Sequence, residues 1–71
     1  MEVAMKVEYD AQADAMYIRL ASGTVADSDE VREGVVLDYD DAGRVLGIEI
    51  LDVSRRTDNP REMAFEMLAA A

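Results

Sequence analysis

Seventy-one residues suffice for one small domain with a thin core, and chains of that size usually gain stability from disulfides, metals or oligomerisation. The absence of cysteine and histidine excludes disulfides and the common zinc, iron–sulfur and haem ligand sets, so no cofactor is expected and oligomerisation is the expected supplement. Sixteen acidic against seven basic residues give a net charge of −9, which excludes nucleic acid and an anionic membrane as partners and suits a basic protein.

The N-terminal MEVAMKVEYD lacks a basic stretch followed by an apolar one, and no apolar run is long enough to cross a bilayer, so a cytoplasmic location is expected. Met5 to Tyr9 alternates, with Met5, Val7 and Tyr9 on one face and Lys6 and Glu8 on the other, the period of a half-buried strand. After the polar link Asp10–Asp14, Ala15 to Leu20 resumes the pattern with Met16, Ile18 and Leu20 inward, predicting an antiparallel hairpin. Ser22-Gly23 ends it. Thr24-Val25 and Glu30–Arg32 are expected as short edge strands around a turn at Asp27–Asp29, their charge discouraging stray pairing.

Gly34 to Asp52, GVVLDYDDAGRVLGIEILD, predicts a second hairpin. Val35, Leu37 and Tyr39 alternate with Val36 and Asp38, and Asp40–Gly43 supplies a four-residue loop with Gly43 in the left-handed position. That loop pairs Tyr39 with Arg44, Leu37 with Leu46 and Val35 with Ile48. Leu51 to Arg56 is expected to form a helical turn. Asn59 as N-cap, Pro60 at the first helical position and Glu62 three residues after the cap then predict a helix from Pro60 to Ala71. Ala64, Met67, Leu68 and Ala71 share one face of it, flanked by Met63 and Phe65. The expected fold class is α+β: a small antiparallel sheet of two β-hairpins over residues 1–57, and a C-terminal helix over 58–71 packed on the sheet or on a partner chain.

Three groups of residues invite a chemical role. Asp38, Asp40, Gly43 and Glu49 match four positions of a calcium loop, but Ala42 stands where an oxygen ligand belongs and the flanks alternate like strands, so turn chemistry explains Asp40, Asp41 and Gly43 better. Asp10 and Asp14 beside Tyr9 and Tyr17 resemble a paired-carboxylate site, yet they sit in an exposed connection where turn hydrogen bonds account for them. Ser22, Ser28, Ser54, Thr24 and Thr57 have no histidine to activate them, and enzymatic activity is not expected.

A further group is the C-terminal stripe Met63, Phe65, Met67 and Leu68, adaptable side chains of the kind found at interfaces. Val36, Val45 and Leu51 lie on the sheet face opposite the expected core, and one short helix cannot cover two faces. These seven residues are the candidate interaction residues. The sequence points to a non-enzymatic interaction module, a homodimer or the acidic partner of a basic protein. The alternative is a ligand- or metal-binding domain using the acidic hairpin around Asp38 and Glu49.

The segments VEYDAQADAMYIRL and EGVVLDYDDAGRVLGIEILDVS, in this order and at this separation, resemble the small prokaryotic proteins of the domain-of-unknown-function family 2283. The resemblance runs from about Lys6 to Ser54 and departs from the family's usual proline at Ala11. It implies a compact α+β unit of a few antiparallel strands, brings no catalytic residue with it, and suggests an antitoxin-like role by association.

Overall fold

The computed structural model describes residues 5–69; Ala70 and Ala71 of the expected helix, and the first four residues of the N-terminal stretch, lie outside the described residues. Five strands, β1 (Lys6–Asp10), β2 (Ala15–Arg19), β3 (Asp27–Arg32), β4 (Val35–Tyr39) and β5 (Val45–Leu51), form one antiparallel sheet in the order β1-β2-β5-β4-β3. A one-turn 3-10 helix, Val53–Arg55, follows β5. The architecture is a hairpin joined edge-on to a three-stranded meander, with β2 and β5 side by side at the centre.

The first hairpin follows the alternation of the sequence, with Val7 opposite Ile18 and Tyr9 opposite Met16. Asp10 turns the chain by accepting from the Gln12 and Ala13 amides at 3.0 and 3.3 Å. The edge strand β3 replaces the two fragments expected there. Asp27–Asp29 is extended, not turned, and the reversal falls at Glu33-Gly34, where Gly34 has φ 77° and its amide donates to Glu30.

The second hairpin departs from the expected register by two residues. Tyr39 pairs with Val45 instead of Arg44, Leu37 with Ile48 instead of Leu46, and Val35 with Ile50 instead of Ile48. One residue of the shift comes from the loop. Asp40 accepts from the amides of Ala42 and Arg44 and from Arg44 Nε at 2.7 Å, while its own amide donates to the Arg44 carbonyl, so the loop spans Asp40–Arg44. The other comes from a bulge that leaves Leu46 without a cross-strand partner between Val45 and Gly47.

That bulge supplies the best-buried side chain of the described residues, Leu46, 1% exposed. The β2–β3 connection crosses the end of β5: the amides of Leu20 and Ala21 both donate to the Leu46 carbonyl, and Gly23 packs against the Leu46 side chain. Ala26 closes the crossing by donating to the Tyr39 carbonyl at 2.8 Å.

The α+β class and the C-terminal helix are overturned: the described chain is all-β, and residues 62–69 have no regular structure. The helix-start signals act locally. Asn59 accepts from the Arg61 amide at 3.1 Å, Asn59 Nδ2 donates to Glu62, and the Glu62 amide reaches the Asn59 carbonyl. One turn forms and stops. A helix of a dozen residues is marginal in water without a packed face, and Phe65, Met67 and Leu68 are 76–82% exposed.

Without that helix the sheet is a single layer. Cross-strand pairs put Met16, Ile18, Ile48 and Ile50 on one face, with Val35 and Leu37 of β4 beside them and Val7 and Tyr9 at the β1 edge. This is the face expected to be the core, yet all eight side chains keep solvent contact and Val7 is 38% exposed. Among the described residues the buried apolar side chains are Leu46, at the start of β5, and Val53, in the 3-10 turn that follows it.

Candidate functional site

Both faces of the sheet are candidates, and they differ in kind. The polar face is built around Tyr17. Gly47, its diagonal neighbour on β5, has no side chain, so the phenol ring lies across β5 and its hydroxyl donates to Asp38 on β4 at 3.0 Å. A β-carbon at Gly47 would overlap that hydroxyl. Ser28 Oγ of β3 donates to the other Asp38 oxygen at 2.6 Å, and the Arg19 guanidinium stands 5.5 Å from the Tyr17 ring centroid. Burial, then the hydrogen bond to Asp38, push the Tyr17 pKa up. Asp38 thus ties three strands together. It does not aim at Glu49 to frame an ion.

An open depression of about 310 Å³ lies on this face, lined by Glu8, Asp10, Ala15, Met16, Tyr17 and Glu49. It gathers Asp10 and Glu49 of the acidic-site reading without Asp38. Among the described residues no three His, Cys, Asp or Glu side chains converge as a metal-holding group. Asp40 belongs to the loop: its hydrogen bonds from the Arg44 amide, the Arg44 side chain and the Ala42 amide hold its pKa below the ordinary carboxylate value.

At the far end of β5 the chain is fastened by Asp14, which the sequence set beside Asp10 and Tyr9 but did not join to Ser54. Asp14, in the left-handed conformation at φ 52°, accepts from Tyr9 Oη at 2.8 Å and from both the amide and hydroxyl of Ser54, while its carbonyl accepts from the Val53 amide. The hydrogen bond from the Ser54 hydroxyl, then that from Tyr9, lower the Asp14 pKa, and the same bond to Asp14 raises that of Tyr9. Asp10 and Asp14 therefore serve separate turns and make no carboxylate pair. Beside this clasp Arg56 donates to the carbonyls of Leu51 and Glu33, joining the β3–β4 turn to the end of β5.

The depressed pKa values fix the sign of a pH effect. Asp14 and Asp40 are stabilised as carboxylates in the folded chain, so their contribution is complete above the unfolded value of about 4 and is lost as pH falls through the lower folded values. Thermal melts should show Tm falling below about pH 4. In the double variant Asp14→Asn/Asp40→Asn that acid limb should flatten, the whole curve lying lower at neutral pH.

The candidate interaction residues are divided by the fold. Val36 and Leu51 are half-buried on the polar face, whereas the bulge sets Val45 opposite Tyr39, on the other side. Met63, Phe65, Met67 and Leu68 project from the exposed C-terminal arm, residues 61–69. Its root touches the apolar face: a cavity of about 280 Å³ is lined by Met16, Ile50, Val53 and Pro60 from the body and by Glu62 and Met63 from the arm. What sequence reasoning missed is that this apolar face stands uncovered, because a helix was expected to pack on the sheet or on a partner chain.

Geometry thus defines a single-layer antiparallel β protein with one polar, hydrogen-bonded face and one bare apolar face. The chain belongs to the family described as Protein of unknown function (DUF2283), whose model matches residues 6–54 and bears out the resemblance read from the two strand segments. The match ends at Ser54, the partner of Asp14, and the arm lies beyond it. No curated protein and no solved structure matches the chain. No helix among the described residues is long and apolar enough to cross a membrane.

Proposed function

We propose that this protein is a non-enzymatic interaction module that self-associates through the apolar face of its sheet, two copies packing face to face. The observation that carries this is the bare layer. A sheet with one apolar face needs a second layer over it, and each fully buried Val, Leu or Ile side chain is worth about 1.5–3 kcal/mol. Met16, Ile18, Leu37, Ile48 and Ile50 stand open together on that face. A second copy offers the same apolar surface by symmetry. The acidity of the chain also suits a basic protein partner, in the manner of an antitoxin, at the charged edge and polar face. The lack of histidine and cysteine supports a role without catalysis.

Sedimentation across a dilution series tests the reading. The expected result is a dimer that dissociates on dilution, and a monomer at every concentration would overturn it. Ile18→Lys should abolish the dimer. Circular dichroism of that variant, retaining the β-sheet signal, separates loss of association from loss of fold.

A further inference from the structure

We infer that the C-terminal arm of each copy lies on the apolar face of the other, so that the two chains exchange arms across the interface; this rests on the self-association proposed above. The chain presents two unpartnered apolar surfaces, the sheet face and the arm. The arm starts at the rim of its own face and then leaves it: Pro60 is half-buried, Met63 is 56% exposed, and Phe65, Met67 and Leu68 are 76%, 82% and 79% exposed. Its own sheet does not hold it.

Area supports an added layer of contact. Five strands about 4.8 Å apart and five residues long at about 3.3 Å each make a face of about 400 Å² in projection. The accessible surface of such a face is larger than its projection, and burying the arm as well brings it further toward the about 800 Å² of accessible surface that each partner contributes to a stable interface. The nine described residues beyond Pro60 alone reach about 30 Å when extended, enough to cross the about 24 Å width of a facing sheet.

Charge favours the partner's sheet as the destination. On the arm's own side Arg61 stands close enough to Tyr9 of β1 to lower its pKa, against the stronger raising by Asp14. The opposite border of the same face carries Asp27 and Asp29 of β3, paired with Tyr39 and Leu37. A two-fold axis along the strands brings the β1 side of one copy over the β3 side of the other, setting each Arg61 toward the partner's Asp29.

The chain contains no cysteine, so introduced thiols report contacts without background. Full-length Phe65→Cys and full-length Leu37→Cys, one carrying a mass tag, are mixed and mildly oxidised. The expected result is a disulfide-linked heterodimer in excess of either homodimer. A disulfide confined within single chains of the doubly substituted Phe65→Cys/Leu37→Cys protein, or no disulfide between arm and face at all, would overturn arm exchange while leaving a dimer seen by sedimentation intact. Phe65→Asp/Leu68→Asp, at positions too exposed to unfold the sheet, should weaken dimerisation by about tenfold or more, and an unchanged dissociation constant would also overturn the inference.

Discussion

Leu46→Ala is expected to lower the unfolding free energy by about 3 kcal/mol, within the range of about 2–5 kcal/mol for leucine truncations that leave a cavity. The whole stability of a 71-residue chain is of order 4–10 kcal/mol, so this one change removes a large share. The reason is where Leu46 sits. The sheet has no second layer of its own, and the side chain that the bulge releases is the one the β2–β3 crossing folds around. Urea denaturation at fixed protein concentration measures the effect, since association would itself shift the midpoint. Hydrogen exchange at the Leu20 and Ala21 amides, both bonded to the Leu46 carbonyl, should rise with it. Val25→Ala, on the same crossing but 43% exposed, should be close to neutral.

Gly47→Ala is the second large effect. The backbone at Gly47 does not demand glycine through its φ angle; the Tyr17 ring lying over it does. One methyl group forces the ring away, at about 1–3 kcal/mol for an overpacked site. The hydroxyl then loses Asp38, and Asp38 keeps only Ser28 among its side-chain donors. Two readouts distinguish this from a general loss of packing. The raised Tyr17 pKa, which depends on burial and on the Asp38 bond, should move back toward the ordinary tyrosine value in a spectroscopic titration. Adding Tyr17→Ala to Gly47→Ala should recover part of the stability, because the clash disappears with the ring.

Much of the sheet was legible because period-two alternation is a local signal. Met5–Tyr9, Ala15–Leu20 and Val35–Tyr39 each display it, and β1, β2 and β4 are placed where it falls. The register of the last hairpin was not legible. It depends on Asp40 gathering the Arg44 amide and side chain into a five-residue loop, and on a bulge whose advantage, burying Leu46 under a distant connection, no cross-strand pattern reveals. The role of Asp14 as a clasp was hidden for a similar reason: Ser54, the group that completes it, is forty residues away.

The helix failed differently. Asn59, Pro60 and Glu62 do what their types dictate, forming a capped turn, but propagation needs a surface to pack on. In the described chain the arm leaves the apolar face instead of lying on it, and Phe65, Met67 and Leu68 stay exposed. The stripe Met63, Phe65, Met67 and Leu68 stands exposed, and the face expected to be core is left bare.

The edge strand β3 has a consequence for the size of any assembly. An endless ribbon requires the free edge of one sheet to accept the opposite edge of the next, copy after copy. Here one of the two edges carries Asp27, Asp29 and Glu30 within four residues, and the other ends in Asp10 beyond Glu8. Head-to-tail strand addition would bring like charges together at every junction. Growth along the sheet is therefore disfavoured in both directions, and the association proposed through the apolar face would close on itself at a finite number of copies instead of running on as a filament.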